Sequence, residues 1–415
     1  MHSEKVAFLQ KELKKKGLIV LEPRRESNII RPPIYKKKVA KISLSTFTEI
    51  IDINSTCAIV EPQVTFDKLV KETLLLGLVP PVVPEFKGIT VGGAFAGTSL
   101  ESSSGVYGQF SDTVLGLTVL LGNGEIIGVS RTENSDLFWG LSGSYGTLGI
   151  ILSLIIQLIP AKKNIHIGIP GPFEETLIIG NEKIHLTAAM TDSPANFFTG
   201  PFSKWFYKRV PERQNFILPL YDYLFRYDRG AFWMASTFQG PSWLLYYFFH
   251  IKKELSFKKA WEAPFFFRPF FSSKRLYKTL HQLPSPWFEK NFIVQDFYIP
   301  LSKLDIFLKE IVLRPLWICP IKPTSTPQIF SPHYLPCDKL VDVGVYGIDL
   351  EASTTSKRLE KICYELKGRK MLYAYNYYSL ESFWEIYNEK AYRCLRTKYY
   401  ADKTFLSIEK KVLSR

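Results

Sequence analysis

Apolar residues recur along the chain with two different periods, which predicts a mixture of helices and strands. Helical spacing near the N-terminus places Val6, Leu9 and Leu13 on one face, with Gly17 expected to end the helix. Thr65 is expected to cap a second helix that ends near Gly77. Short apolar runs bounded by turn residues predict strands instead, and in the first half of the chain these cover 18–21, 39–44, 50–60, 114–129 and 150–159.

The segment 80–160 carries two glycine-rich stretches around which the rest of the chain is organised. The first, TVGGAFAG at 90–97, follows an apolar run and precedes several small hydroxyl residues. The second, GSYGTLG at 143–149, leads into an apolar strand. Between them, Asn123 lies in a Gly-Asn-Gly turn that predicts a hairpin over 114–129. Glycines allow a backbone to approach a ligand and to turn N–H groups toward an anion, so both stretches are candidates for holding a pyrophosphate.

Neither glycine-rich stretch has the form of a common nucleotide-binding motif. The sequence GGAFAG departs from G-x-G-x-x-G, and no crossover helix is expected after it. The second stretch lacks the Gly-Lys-Ser/Thr of a Walker loop. A tight turn alone would explain one glycine cluster. Two clusters joined by YGQFSD and DLFW together resemble the flavin-binding domain of the vanillyl-alcohol oxidase superfamily, also called the PCMH-type fold.

Beyond residue 160 the pattern predicts a second region of strands and helices. Alternation over 291–300 places Asp296 and Tyr298 on the same face as Phe292 and Val294. A helix is expected to begin near Ser302 with a capping-box-like start. Further strands are predicted at 162–186, 315–321, 340–346 and 371–378, the last with Tyr373, Tyr375 and Tyr377 on one face. Two strand–helix–strand passes favour a ferredoxin-like α+β cap.

These patterns together predict an α+β protein with three parts. A two-subdomain, PCMH-type FAD-binding domain is expected over 1–165, and a mixed α+β (ferredoxin-like) cap domain for the substrate over 166–378. A C-terminal helical segment is expected over 379–415. Within the cap, the segment 197–271 is aromatic and basic throughout. Such a composition is typical of a membrane-interface surface, but also of a domain core with exposed lysines.

Composition narrows the choice of partners and of cellular compartment. The chain has 415 residues and a net charge of +14, which suits an anionic cofactor or an anionic membrane. No nucleic-acid-binding motif is present, so no nucleic-acid partner is expected. The five cysteines are widely spaced and form no C-x-x-C, which predicts neither a disulfide framework nor a metal site and favours a reducing compartment. Without a signal peptide or a membrane span in the sequence, we expect a cytoplasmic protein with peripheral contact to anionic membrane.

Motifs along the whole chain resemble one family within that superfamily, the Δ24-sterol reductases (the seladin and Diminuto proteins). In the flavin domain they are TVGGAFAGTSLESSS at 90–104, ENSDLFW at 133–139, GTLG at 146–149 and IPAKK at 159–163. In the cap they are VQDFYIP at 294–300, PLWICP at 315–320, VDVGVYG at 341–347 and MLYAYNYYSLESFWEIY at 371–387. Because the match spans about 4–412, it is more specific than a flavin-binding loop. It is patchy over 200–290, and we expect no counterpart of the hydrophobic anchor with which the eukaryotic members begin.

The resemblance implies non-covalent FAD, NADPH as the electron donor, and a sterol or other apolar small molecule as substrate. The loop 22–33, with Arg24, Arg25 and Arg31, is basic and rich in turn residues, which a solvated connection would explain equally well. The resemblance implies instead that a loop at this place helps to hold the diphosphate. Neither glycine-rich stretch contains a histidine or cysteine for covalent attachment of the flavin. The positions expected to bind FAD are Thr90, Val91, Gly92, Gly93, Ala94, Phe95, Ala96, Gly97, Thr98, Ser99, Leu100, Glu101, Ser102, Tyr107, Gly108, Asp112, Gly146, Thr147, Leu148 and Gly149.

Reduction of an isolated double bond, the reaction of this family, requires a proton donor beside an apolar slot. Protonation of one alkene carbon makes its neighbour cationic and therefore able to accept hydride. The candidate donors are Asp296, Tyr298, Tyr373 and Glu101, each of which could instead be a structural residue. Two other functions remain open from the sequence: an FAD-dependent oxidase or dehydrogenase of an alcohol or other small substrate, and a non-catalytic lipid-binding relative.

Overall fold

The computed structural model describes residues 1–22, 29–31, 39–197, 205–230, 272–282 and 285–413. Most of the basic loop 22–33 and most of the aromatic-basic segment 197–271 therefore lie outside the described residues. Across the described ranges, no helix combines the length and the apolar character that crossing a bilayer requires.

The N-terminal part of the chain, up to Pro160, is organised around one antiparallel sheet of order β3-β4-β8-β6-β7. Its strands are β1 Ile19–Leu21, β2 Ala40–Ile42, β3 Ile50–Ile53, β4 Cys57–Val60, β5 Leu78–Val79, β6 Val114–Leu120, β7 Ile126–Ser130, β8 Ile150–Gln157 and β9 Ile159–Pro160. Its helices are α1 His2–Lys15, α2 Phe66–Leu75, α3 Val91–Gly97, α4 Ser104–Tyr107 and α5 Ser135–Leu141, with a 3-10 turn over Phe110–Thr113. The pairs β1–β2 and β5–β9 form two small separate sheets.

The following part forms a larger antiparallel sheet, the cap sheet, of order β13-β10-β12-β11-β15-β16-β14-β17. Its strands are β10 Asn164–Ile167, β11 Phe173–Ile179, β12 Glu182–Thr191, β13 Phe216–Pro219, β14 Phe292–Pro300, β15 Leu316–Ile321, β16 Leu340–Ile348 and β17 Arg369–Lys370. Its helices are α6 Phe206–Arg209, α7 Leu220–Leu224, α8 Ser273–Leu280, α9 Ser285–Asn291, α10 Leu304–Lys309 and α11 Ala352–Glu365, with a 3-10 turn over Leu301–Lys303. The chain ends with α12 Leu380–Ile386, α13 Glu389–Lys398 and α14 Ile408–Val412.

Strand β14 shows how the two faces of the cap sheet are used. Phe292, Val294 and Tyr298 belong to the large hydrophobic core that the cap shares with the N-terminal part. Of the alternate residues of β14, Ile293, Phe297 and Ile299 belong to a second core that includes residues of α10 and α11. The alternation predicted over 291–300 is therefore confirmed, and it places Asp296 on the side of the cap sheet that faces the N-terminal part.

Several predicted elements are confirmed by the structure. Helix α1 buries Leu9 and Leu13, and the side chain of Thr65 caps α2 by accepting a hydrogen bond from the Lys68 N–H at 3.3 Å. Strands β6 and β7 form the predicted hairpin on either side of the Gly-Asn-Gly turn. The mixed α+β class is likewise confirmed, with helices and antiparallel sheets in both parts of the chain.

Two predictions about single elements are wrong for reasons of local hydrogen bonding. The run 50–60 forms two antiparallel strands rather than one bent strand, because the Asn54 side chain accepts from the N–H groups of Thr56 and Cys57, both at 2.9 Å, and so stabilises a reversal. Ser302 does not cap a helix: it lies in the 3-10 turn, and α10 begins only at Leu304.

The strand predicted over 371–378 is also absent. Strand β17 covers only Arg369–Lys370, after which the Met371 N–H donates to the Asp296 carbonyl at 3.1 Å. Further along, the Asn376 side chain donates to the carbonyls of Leu372, Ala374 and Val412 at 3.3, 2.9 and 3.1 Å. These side-chain bonds replace a strand ladder, so the tyrosines of this segment do not share a sheet face.

The glycine-rich stretch 90–97, expected as a ligand-binding loop, forms the helix α3 instead. The Thr90 side chain accepts from the Gly93 N–H at 3.3 Å, as an N-cap does, and Thr98 ends the helix with φ of 60°. Gly92 is required by packing, since a Cβ there would lie 2.6 Å from the Cβ of Pro62. The helix therefore packs directly on the N-terminal part.

The C-terminal helices pack back onto the N-terminal part. Arg396 of α13 donates from Nη1 to the Thr147 carbonyl at 2.7 Å, and Leu395 packs so closely on Gly140 that a Cβ there would lie 2.5 Å away. This return of the chain brings α14 next to the second glycine-rich stretch.

Candidate functional site

A cavity of about 300 Å³ lies between the N-terminal part and the cap sheet. Three regions that are distant in sequence line it. The glycine-rich stretches contribute Thr90, Gly92, Gly93, Ala96, Gly97, Ser99, Leu100, Ser144, Tyr145, Gly146 and Gly149. The cap contributes Tyr277, Asp296, Trp317, Tyr346, Met371 and Tyr373, and the C-terminal helix α14 contributes Lys411. The cavity therefore joins the predicted cofactor segment to part of the predicted catalytic set.

Helical periodicity explains which residues of the first glycine-rich stretch reach the cavity. Val91, Ala94 and Phe95 are fully buried in the core of the N-terminal part. Gly93 and Gly97 lie on the other side of α3 and line the cavity. Because this side carries only small residues, the backbone itself forms the cavity wall, as close approach to a flat or anionic ligand requires.

The second glycine-rich stretch reaches the cavity as a tight turn with left-handed backbone. Tyr145 has φ of 53° and Gly146 has φ of 71°. A Cβ on Gly146 would lie 3.1 Å from the Leu21 side chain, so a larger residue would be both strained and crowded there. The turn presents a second backbone-lined wall beside α3.

Two buried cations lie beside this second wall. Lys411 is 7% exposed, donates from Nζ to the Tyr145 carbonyl, and lies 3.9 Å from the position of a Cβ on Gly146. Arg31 donates from Nη1 to the Lys411 carbonyl at 2.5 Å, whereas its Nη2 is buried without a hydrogen-bond partner in the described part of the chain. Backbone walls next to positive charge fit a flavin dinucleotide with its anionic diphosphate. Lys411 was missed from the sequence because it lies in no motif.

The predicted FAD positions fall into two groups, those that line the cavity and those that do not. Those that line the cavity are Thr90, Gly92, Gly93, Ala96, Gly97, Ser99, Leu100, Gly146 and Gly149. Those that do not line it are Val91, Ala94, Phe95, Thr98, Glu101, Ser102, Tyr107, Gly108, Asp112, Thr147 and Leu148. Among the latter, Asp112 instead binds the ring of His333 at 2.7 Å and the Gln109 N–H at 2.8 Å, and so holds its own loop together.

On the cap side of the cavity, Asp296 is held by two phenols. The hydroxyl group of Tyr346 donates to Asp296 Oδ1, and the hydroxyl group of Tyr373 also binds this carboxyl group. Gly344, directly opposite Asp296 in the sheet, leaves room for the Tyr346 hydroxyl, since a Cβ there would lie 2.6 Å from it. Burial raises the pKa of Asp296 to about 6 although the hydrogen bonds oppose the rise. Such a carboxyl group can carry a proton near neutral pH.

Two further buried carboxyl groups accompany Asp296, and sequence reasoning singled out neither. Glu85 lines the cavity, and Asp342 of β16 is fully buried. Burial raises the pKa of both groups well above the ordinary range, and neighbouring carboxylates raise each further. The motif VDVGVYG contains Asp342, but only the strand register shows that it is near Asp296.

Tyr298 and Glu101, the other two predicted proton donors, do not line the cavity. Tyr298 is fully buried and its hydroxyl accepts from Gln109 Nε2 at 2.7 Å. Glu101 pairs with Arg226 at 2.5 Å. Of the four candidates, the structure thus brings only Asp296 and Tyr373 to the cavity.

Comparisons with known proteins show which chains this one resembles. Residues 3–130 match the FAD binding domain family. The Delta(24)-sterol reductase of Homo sapiens is 28% identical to this chain, over 99% of the chain and 86% of the relative. The Delta(24)-sterol reductase homolog of Caenorhabditis elegans is 26% identical over 94% and 83%, and the Arabidopsis thaliana enzyme is 26% identical over 89% and 75%. The resemblance seen in the sequence motifs is therefore confirmed over nearly the whole chain.

Proposed function

We propose that the chain is an FAD-dependent oxidoreductase related to the Delta(24)-sterol reductases, and that it reduces the C24–C25 double bond of a sterol side chain with NADPH as hydride source. The observation that carries the proposal is the shared cavity, in which the glycine-lined walls and the buried acid Asp296 meet. NADPH enters the proposal only from the family resemblance of the sequence motifs.

The cavity supplies what reduction of an isolated alkene demands. FAD, when bound and reduced, supplies the hydride. Asp296 supplies the proton, since its carboxyl group faces the cavity and its raised pKa keeps a protonated fraction near neutral pH. Tyr346 and Tyr373 fix the orientation of that carboxyl group and stabilise the carboxylate that remains after proton transfer.

Large apolar and aromatic side chains from both parts of the chain also line the cavity. The rings of Phe86 in the N-terminal part and Tyr277 in the cap lie 5.9 Å apart, and Trp317 and Met371 of the cap are further lining residues. Such side chains suit a branched hydrocarbon tail. By excluding water they would also protect a cationic carbon from capture by water.

Product analysis tests the proposal directly. The purified protein is incubated with FAD, NADPH and a Δ24 sterol, and the extracted sterol is examined by mass spectrometry. We expect a product that is two hydrogens heavier, with one deuterium incorporated when the hydride donor is deuterated. The fully saturated sterol serves as the negative control. Oxygen consumption with alcohols, without any mass gain of the alkene, would instead assign the protein to the FAD-dependent oxidases.

A further inference from the structure

Asp342 and Asp296 are cross-strand neighbours in the cap sheet. In the register of β14 and β16, Asp296 is opposite Gly344 and Tyr298 is opposite Asp342. Asp342 is therefore two residues from the partner of Asp296, on the same face of the sheet, where side chains interact diagonally. Gly344 carries no side chain that could separate the two carboxyl groups.

Within the described part of the chain, Asp342 has no conventional hydrogen-bond donor. It is fully buried, and neither of its oxygen atoms accepts from an N–H or O–H group there. The carboxyl group of Asp296 lies within hydrogen-bonding reach of it. Two carboxylates cannot hydrogen-bond to one another, and like charges in a buried site repel strongly, so the contact requires a proton.

We propose that Asp296 and Asp342 share one proton, and that Asp342 is a positioning residue that keeps this proton available at the cavity. The role of this shared proton in catalysis rests on the proposed function. During turnover, the O–H bond at Asp296 would break as the C–H bond to the alkene forms, and FAD, if bound and reduced, would supply the hydride that balances the reduction. The two carboxylates then left in contact take up the next proton from water.

The environment of the pair favours the singly protonated state. Burial raises the pKa of each group, and the two groups titrate as a unit rather than separately. Buried pairs of carboxyl groups in general share one proton, because two like charges in contact cannot both ionise. Burial here favours keeping that proton to a higher pH than an exposed carboxyl group would. The titratable groups that face the pair from neighbouring elements are Glu85, Tyr145, Tyr298, Cys319, Tyr346, Cys363 and Tyr373.

Infrared spectroscopy of the FAD-loaded protein tests the shared proton without any substrate. The carbonyl band of protonated carboxylic acids is followed from pH 5 to pH 9 in the wild type, Asp342→Asn and the exposed control Asp338→Asn. We expect a band that persists above pH 7 in the wild type and the control and titrates ~1–3 pH units lower in Asp342→Asn, because a like charge is removed. An unchanged titration in Asp342→Asn overturns the proposal, whether or not the protein reduces sterols.

The pH dependence of turnover gives a second, separate measurement. The rate at which substrate oxidises the reduced flavin should fall as the pH rises and the shared proton is lost. We expect the midpoint of this fall to lie ~1–3 pH units lower in Asp342→Asn than in the wild type. A merely structural defect would instead lower the rate equally at every pH. Asp342→Ser, which also removes the charge, repeats the test if the asparagine variant does not fold. If neither variant folds, the infrared titration of the wild type decides. The proposal is overturned if every band of a protonated carboxyl group has disappeared by the time the pH has been raised to 6.

Discussion

Arg226 of the cap and Glu101 of the N-terminal part form an ion pair across the domain boundary, with 2.5 Å between Nη2 and Oε1 and both side chains buried. Arg226 also pairs with Glu175 of β11 at 2.7 Å, and Glu175 accepts from Trp317 Nε1 at 2.7 Å. Since Trp317 lines the cavity, this cluster fixes the cap relative to the glycine-lined wall.

Removal of the cation from this cluster should destabilise the protein strongly. We expect Arg226→Met to lower the free energy of unfolding by ~3–5 kcal/mol, because two buried carboxylates lose their partner. The loss should shrink at acidic pH, because burial raises the pKa of Glu101 and its carboxyl group can then become neutral. Urea unfolding measures it, with Arg358→Met as the control: Arg358 forms an exposed pair with Glu310 at 2.7 Å, and its loss should cost less than ~1 kcal/mol. Equal costs for the two variants would contradict the assignment.

Gly97 provides the sharpest test of the cofactor wall. A Cβ at this position would lie 3.8 Å from the Tyr145 ring, which the fold tolerates, whereas a longer side chain would extend into the cavity. We expect Gly97→Leu to abolish FAD binding while the thermal midpoint of the apo-protein changes little. Gly17→Leu is the control, because no atom lies within 4 Å of a Cβ there. Flavin absorbance after gel filtration gives the occupancy, and full occupancy in Gly97→Leu would reject the site.

Lys411 should contribute to FAD affinity through its charge. A hydrogen bond to a charged group is worth ~1.5–3 kcal/mol, so we expect Lys411→Met to raise the FAD dissociation constant ~10- to 100-fold. The exposed neighbour Lys410→Met should leave it unchanged. Fluorescence titration of the apo-protein with FAD at two salt concentrations measures both variants. A similar constant for Lys411→Met and Lys410→Met would exclude contact between Lys411 and the cofactor.

Asp296→Asn should separate proton transfer from cofactor binding. FAD affinity and flavin reduction by NADPH should remain, but oxidation of the reduced flavin by sterol should slow by ~10²- to 10⁴-fold, the usual effect of losing a general acid. Stopped-flow absorbance of the flavin measures the two half-reactions separately. Asp305→Asn, at an exposed position of α10, is the control. Normal sterol turnover in Asp296→Asn would transfer the role to Tyr373.

The flavin should be held without a covalent bond. Among the described residues that line the cavity there is no histidine or cysteine. We therefore expect all FAD to be released intact when the protein is denatured and precipitated, as measured by absorbance of the supernatant. Flavin remaining with the precipitate would show a covalent link and direct attention to the cavity tyrosines.

The sequence by itself determined the elements whose signals are local. Alternation over β14 predicted that Asp296 and Tyr298 share a face, and the pattern around Thr65 predicted where α2 begins. The two glycine-rich stretches and the family motifs predicted the flavin site and the α+β class. These features depend on a few neighbouring residues, so the order of residues is sufficient to show them.

Only the tertiary structure decided which residues meet at the cavity. Strand pairing placed Asp342 beside Asp296, and the return of the C-terminal helices placed Lys411 beside the second glycine-rich stretch. The packing of the cap on the N-terminal part places Glu101 in an ion pair with Arg226, away from the cavity. Contacts between residues far apart in sequence depend on strand register and domain packing, which leave no periodic signal in the chain, and for this reason the sequence did not show them.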